Sequence, residues 1–342
     1  MDVDLDGVIR IRFEDGRFPL LEEQFRQRSS KLGDPDLILE RGHVSDLGTP
    51  ARKDAFFSEG EYAITKGGGT CRITPGKIVC TEHMDEELLE ENVLKPVLVG
   101  LLASKGWGLL HASAASVGES VVVFPAISGT GKTFVLLELL RRGAGFVCNN
   151  SIMVGNGGRF VAYPKPIRLV ARHLKMFPDL MNTASSSDRE RREIRKKMSA
   201  QEFSRSIRGG DPISRLLKYR SDSSHFCKSV RSQTLFPGSK VKETGTADHV
   251  FFLVKKKGQP RVVPSDPLRI AGLSFASTSF LGCCLHRTMS RLAGLAYPTE
   301  EETIASNLNF LKSVRCHEVH MGENLSEKDL SKVVDEIQSN MA

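Results

Sequence analysis

The residues best suited to chemistry fall in one stretch, Val121 to Asn150, which reads VVVFPAISGTGKTFVLLELLRRGAGFVCNN. Within it, the run from Ala126 to Thr133 has the spacing of a phosphate-binding loop, with alanine at the first small position. Small residues let successive backbone N–H groups turn inward around an anion, and a helix opening at the end of the loop adds its positive pole. Lys132 is placed to reach the outer phosphates of a nucleotide, and the Thr133 hydroxyl to ligate Mg²⁺. The flanks support this, with an apolar strand before the loop and a leucine-rich helix after it. The sequence therefore predicts a bound nucleoside triphosphate with Mg²⁺, contacted by Ser128, Gly129, Thr130, Gly131, Lys132 and Thr133, with Thr133 as the metal ligand.

Two further positions bear on what happens to that phosphate. Asn149 and Asn150 end the second apolar strand, GFVC. An asparagine amide hydrogen-bonds a phosphate or a metal-bound water, but it takes no proton near neutral pH and adds no charge to Mg²⁺. The pair also suits the start of a hairpin. His111 lies in the strand-like run WGLLHASAASV, where it reads equally as a core histidine and as a reactive one; Ser113 shares its side of the strand. Lys165 and Arg168, in and after YPKP, read as phosphate contacts or as solvated strand-end charges, and Asp248 is a carboxylate that could serve as base from elsewhere.

These groups need a scaffold, and the pattern predicts an α/β fold with α+β character. Residues 1–84 alternate short apolar runs with Asp-Gly, triple-Gly and Pro-Gly turns, a β-rich section of strands and hairpins. Residues 85–342 read as the phosphate-loop core, a mixed β-sheet with flanking helices. It opens with MDEELLEENVLKPVLVGLL, whose early acids suit a helix N-terminus and whose Pro96 predicts a kink. A hairpin through Gly118, a hairpin turn at Asn156-Gly157-Gly158, strands near 249–264, helices over 267–296 and 300–313, and a last helix opening at Ser326 complete the core. Residues 183–225, rich in Ser, Arg and Lys, read as a basic, partly helical and mobile insertion.

Residues 108–168 resemble HPr kinase/phosphorylase and its relatives, a group related to phosphoenolpyruvate carboxykinases. The resemblance is carried by the Leu-Leu-His111-Ala-Ser strand upstream of the loop, the LLRRGAGFV link from helix to strand, the paired polar site at 149–150, and the hairpin with YPKPI after it. It implies ATP-dependent phosphorylation of a hydroxyl. Lys132 would hold the phosphates, Thr133 the Mg²⁺, and His111 would assist the proton step beside the acceptor. The family places two aspartates, for metal and base work, where this chain has Asn149 and Asn150. The reading is thus an ATP- and Mg²⁺-dependent kinase acting on a small molecule, peptide or protein. Alternatives are a catalytically weakened nucleotide-binding regulator or scaffold, and a nucleic-acid-associated NTPase.

Composition narrows the rest. The net charge of +7 is local: residues 189–231 hold 13 Lys/Arg against 5 Asp/Glu. That strip reads as a solvated insertion, a lid, or a docking site for an acidic partner; its aromatic residues are too few for base stacking. None of the seven cysteines forms a CxxC pair, no HExxH occurs, and His317 and His320 read as strand residues. With no apolar run of about 20 residues and no secretory pattern at the start, the expectation is a cytoplasmic protein without a membrane partner. Homo-oligomerisation is left open.

Overall fold

A computed structural model of the chain describes residues 1–14, 18–25, 28, 33–44, 57–59, 62–64, 69–127, 129–185, 187–196, 226–279, 283–322 and 325–341. Ser128 and most of the basic segment, 197–225, lie outside the described residues. The fold is α/β with mixed sheets, as the sequence predicts.

The N-terminal section forms a seven-stranded sheet from β1 (Asp2–Leu5), β2 (Ile9–Phe13), β3 (Leu37–Arg41), β4 (Phe57–Glu59), β5 (Tyr62–Ile64), β6 (Thr70–Thr74) and β7 (Lys77–Cys80), in the order β1-β2-β3-β7-β6-β5-β4. It is not built of hairpins alone, because β2, β3 and β7 pair in parallel. Parallel pairing needs a crossover, and between β2 and β3 the chain forms the helix Pro19–Phe25. Leu21 and Phe25 of that helix are buried one turn apart, a helical spacing inside a section otherwise dominated by alternation.

Twelve strands follow among the described residues: β8 (Gly108–Leu110), β9 (Ala112–Val117), β10 (Ser120–Pro125), β11 (Gly145–Cys148), β12 (Ile152–Val154), β13 (Arg159–Ala162), β14 (Ile167–Val170), β15 (Phe226–Val230), β16 (Thr244–Thr246), β17 (His249–Lys255), β18 (Arg261–Pro264) and β19 (Arg315–Met321). The main sheet has six of them in the order β11-β9-β10-β17-β19-β18, a small sheet runs β16-β13-β12-β8, and β14 pairs with β15 alone. The main sheet is buried on both faces. Val122, Phe124, Phe251, Leu253 and Val319 pack on the helices Lys132–Arg141 and Glu327–Ser339. The alternate residues Val121, Val123, Val250 and Phe252 pack on the helices Pro267–Ser279 and Glu300–Leu311. Burial on both sides explains the unbroken apolar runs VVVF and HVFFLV.

Two chain segments pass from the main sheet to the small one. The run expected as a single strand over 107–117 breaks at His111, with β8 pairing to β12 and β9 to β10 and β11. The other break, over Asn149–Asn150–Ser151, separates β11 from β12. The two breaks lie side by side, and the loop after β10 ends next to them because Pro125 pairs with Ala112.

The predicted kink at Pro96 takes a specific form. The helix runs from Glu86 to Leu89, widens into a π turn over Glu90–Leu94, and resumes as Lys95–Ser104. The Lys95 N–H bonds to the Glu90 carbonyl across the wide turn, which lets the helix continue past a residue with no N–H to give. Leu89 to Leu102 share one apolar cluster with the N-terminal sheet and with Met153, Val161 and Tyr163 of the small-sheet region. Ser326 caps the last helix, exchanging hydrogen bonds with Asp329. Among the described residues no helix is long and apolar enough to cross a membrane.

Candidate functional site

The helix Lys132–Arg141 is held by its own composition. Phe134, Val135, Leu136, Leu137, Leu139 and Leu140 are all buried, and Gly143, at φ 90°, ends it in the left-handed conformation that closes helices. At its other end Gly131 takes φ 133° and Gly129 φ 81°, values a residue with a side chain rarely adopts. Gly131 offers no side-chain cap, so the first N–H groups of the helix have no side-chain acceptor there. The Thr130 N–H turns back to the Ile127 carbonyl at 3.2 Å. This is a tight glycine turn opening a buried helix.

Lys132 is 8% exposed and donates to the Ala126 carbonyl at 2.7 Å, so the chain folds its ammonium back over the turn. Burial lowers its pKa to about 8. The Thr133 hydroxyl donates to Asn149 Oδ1 at 3.4 Å, and Ser113 Oγ, fully buried in β9, donates to the same oxygen at 3.2 Å. Residues 113, 133 and 149 come from three elements and meet at one atom.

His111 stands at the break between β8 and β9. Burial, and then the nearby Lys132 ammonium, lower its pKa to about 4. The nearby Asn150 backbone acts the other way, favouring the protonated ring. With its pKa that low the ring is neutral at pH 7, and one of its nitrogens carries a lone pair. Asn150 has φ 94°, a left-handed conformation asparagine tolerates better than most side chains.

Next to His111 lies a group of buried charges that motif spacing does not reveal. Lys165 is 9% exposed, bonds Glu90 at 3.0 Å and also bonds Glu91. Lys95 bonds Glu91 at 2.9 Å. Burial raises the Glu91 pKa, but Lys95 and Lys165 outweigh it and hold the carboxyl at about 2. Both Lys95 and Glu91 act on the His111 ring through space. Lys165 is therefore not a solvated strand-end charge, whereas Arg168 is exposed on β14. The early acids of MDEELLEE divide as well: Asp85 caps the helix, accepting from the Leu88 N–H at 2.9 Å, while Glu90 is buried and Glu91 is half-exposed against Lys95 and Lys165.

Asp248 is not at this site. It accepts from the Val121 N–H at 2.8 Å, at the start of β10, whereas the glycine turn follows the end of that strand, about 16 Å away at the usual strand rise. A cavity of about 540 Å³ lies beside the charged group and not over the glycine turn. It is lined by Leu21, Gln24, Glu90, Glu91, Lys165 and Arg231 among others, and Glu91 is common to the cavity wall and to the surroundings of His111.

No protein-family model and no curated protein matches the sequence. Among solved structures, the HPr(Ser) kinase/phosphatase from Coxiella burnetii is similar over 68% of this chain and 89% of that one, at 9% identity and a TM-score of 0.29. A likeness that distant says nothing about residues or chemistry.

The donors around Thr133 decide what metal could sit there. Among the described residues no group of three or more His, Cys, Asp or Glu is arranged to hold a cation. A Thr hydroxyl and an amide oxygen are neutral ligands, so this set suits Mg²⁺ arriving with phosphate oxygens and water, and not a free ion. The basic strip is partly neutralised where it is described, since Lys228 bonds Glu190 at 2.7 Å and Arg231 pairs with Glu23.

Proposed function

We propose that this chain binds Mg²⁺ and a nucleoside triphosphate, with ATP the expected one, on the glycine turn and transfers the terminal phosphate to a hydroxyl. The observation that carries the reading is the convergence of Thr133 with Asn149, and of His111 with Asn150, where two strands leave the main sheet next to that turn. The resemblance of residues 108–168 to HPr kinase/phosphorylase points the same way.

In this reading the free N–H groups of the helix N-terminus and Lys132 bind the phosphates, and Thr133 with Asn149 supplies neutral oxygens to the cation. When bound, Mg²⁺ neutralises charge between the outer phosphates. The neutral His111 ring, beside the Asn150 backbone, accepts the proton of the acceptor hydroxyl, the step that neither asparagine performs. A base with a pKa of about 4 is weak, so transfer is slow and rests mainly on positioning and electrostatics. The cavity beside Glu91 gives the acceptor room.

A second reading, a nucleotide sensor without turnover, is favoured by one observation: the residues meeting Thr133 and His111 are amides where carboxylates would assist. Nucleotide binding and release of the diphosphate, measured on the wild type and on Lys132→Ala, separate the readings. Turnover that depends on Lys132 supports the kinase, binding without turnover supports the sensor, and absence of nucleotide binding sinks both.

A further inference from the structure

Cys71 and Cys80 sit directly opposite each other on β6 and β7. The next pair along, Thr70 and Thr81, exchanges a backbone hydrogen bond, Thr81 N–H to Thr70 carbonyl at 3.0 Å. Hydrogen-bonded and non-hydrogen-bonded pairs alternate in an antiparallel ladder, so Cys71 and Cys80 form a non-hydrogen-bonded pair. Such pairs hold their Cα atoms about 4.5 Å apart, inside the roughly 4.4–6.8 Å that a disulfide spans. Both side chains are buried on the same face, and the Cys80 thiol donates to the Glu40 carbonyl at 3.6 Å.

The two thiols are not equivalent. Arg41 lies across from Cys80 on the neighbouring strand β3. The neighbouring Cys71 sulfur, followed by the Arg41 charge, pulls the Cys80 thiol down against the effect of burial. Cys80, directly opposite the strand position of Arg41, is assigned as the nucleophile and Cys71 as the thiol that resolves it.

We propose that Cys71 and Cys80 are a site of reversible oxidation that takes a small peroxide as its substrate. The Cys80 thiolate attacks one peroxide oxygen and breaks the O–O bond. The departing oxygen leaves as water after taking a proton, and Cys80 becomes a sulfenic acid. The Cys71 sulfur then attacks the Cys80 sulfur, the S–O bond breaks, and a second water departs with the Cys71 proton. The two thiols lose one electron pair, and hydrogen peroxide gains it. The site is fully buried, which excludes a bulky disulfide as oxidant. Its position gives the oxidation a path to the rest of the molecule. Arg41 also donates to the carbonyls of Thr81 at 2.9 Å, Glu82 at 2.6 Å and Met84 at 3.1 Å, clamping the segment that leads into the helix of Glu90 and Glu91.

The test treats the native full chain with hydrogen peroxide, blocks free thiols after unfolding, and maps the peptides by mass. The expected product is a Cys71–Cys80 linked peptide, lighter by two hydrogens and restored by dithiothreitol. Cys148 and Cys316, which burial pushes up and which have no partner thiol among the described residues, stay blockable. In Cys71→Ser, dimedone labels Cys80. Recovery of both thiols unmodified, linkage of either to another cysteine, or over-oxidation of Cys80 with Cys71 still free each overturns the proposal. The wild-type map decides the matter even if the variant does not fold.

Discussion

His111 and Asn150 face each other across two chain breaks, the imidazole close to the Asn150 backbone at the line where the main and small sheets part. Neither side chain is placed by a motif of its own; the departure of β8 from β9 and of β12 from β11 places both.

The burial of His111 fixes a pH dependence. Its folded pKa of about 4 lies below the ordinary 6.5, so between those values the unfolded chain binds a proton that the folded chain does not. The stability from the neutral ring is complete above pH 6.5 and is lost as pH falls towards 4. The loss is at most about 3 kcal/mol. Urea unfolding at stepped pH should show this slope in the wild type and a flatter one in His111→Gln. Equal slopes would remove His111 from the account. Asn150→Gly keeps the carbonyl and should leave the slope unchanged.

Asn149 offers one oxygen to two hydroxyl donors. In Asn149→Asp both donors still find an acceptor, so the fold should be kept. The added charge should tighten Mg²⁺-dependent nucleotide binding by about tenfold, or ~1.4 kcal/mol. A titration of Mg²⁺ at fixed nucleotide measures it. If the Mg²⁺ requirement does not move, Asn149 is not beside the cation.

Lys132 loses its proton at about pH 8 in the free protein. Nucleotide affinity should therefore be constant below that value and decline above it, while Lys132→Arg, which stays charged, should remain flat. Calorimetric titrations from pH 6 to pH 10, roughly two pKa units on either side of the transition, test the point.

Lys165 answers two carboxylates in a buried setting. Lys165→Met leaves the buried Glu90 without its ammonium, while the half-exposed Glu91 keeps Lys95, and should cost about 3 kcal/mol of stability, because breaking a buried pair exposes the cost of burying the remaining charge. Adding Glu90→Gln to that variant should restore part of the loss. Equal instability of the single and double variants would mean that packing, not charge, is at stake.

Much of this site is legible in the chain. Glycines at 129 and 131, a lysine and threonine behind them, and a strand and helix on either side mark the turn. The central strands and the last helix with its Ser326 cap are equally plain. The helix Pro19–Phe25 is not, because seven residues barely complete two helical turns and sit among alternating runs. The pairing of Lys165 with Glu90 and Glu91 crosses some 75 positions, and a charge pattern says nothing about partners that distant. The break at His111 is hidden for a different reason. Its neighbours are apolar on both sides, and the change of pairing partner leaves no mark on hydrophobicity.

That break makes the site's durability depend on the less secure of two structures. β8 and β12 are three residues each and belong to the small sheet, whereas β9 and β10 are six each and lie in the main one. Short ladders open more often than long, fully buried ones. When the small sheet opens, the turn at Lys132 can stay shut while His111 and Asn150 drift apart, so in the proposed reading nucleotide binding and proton acceptance should fail at different temperatures.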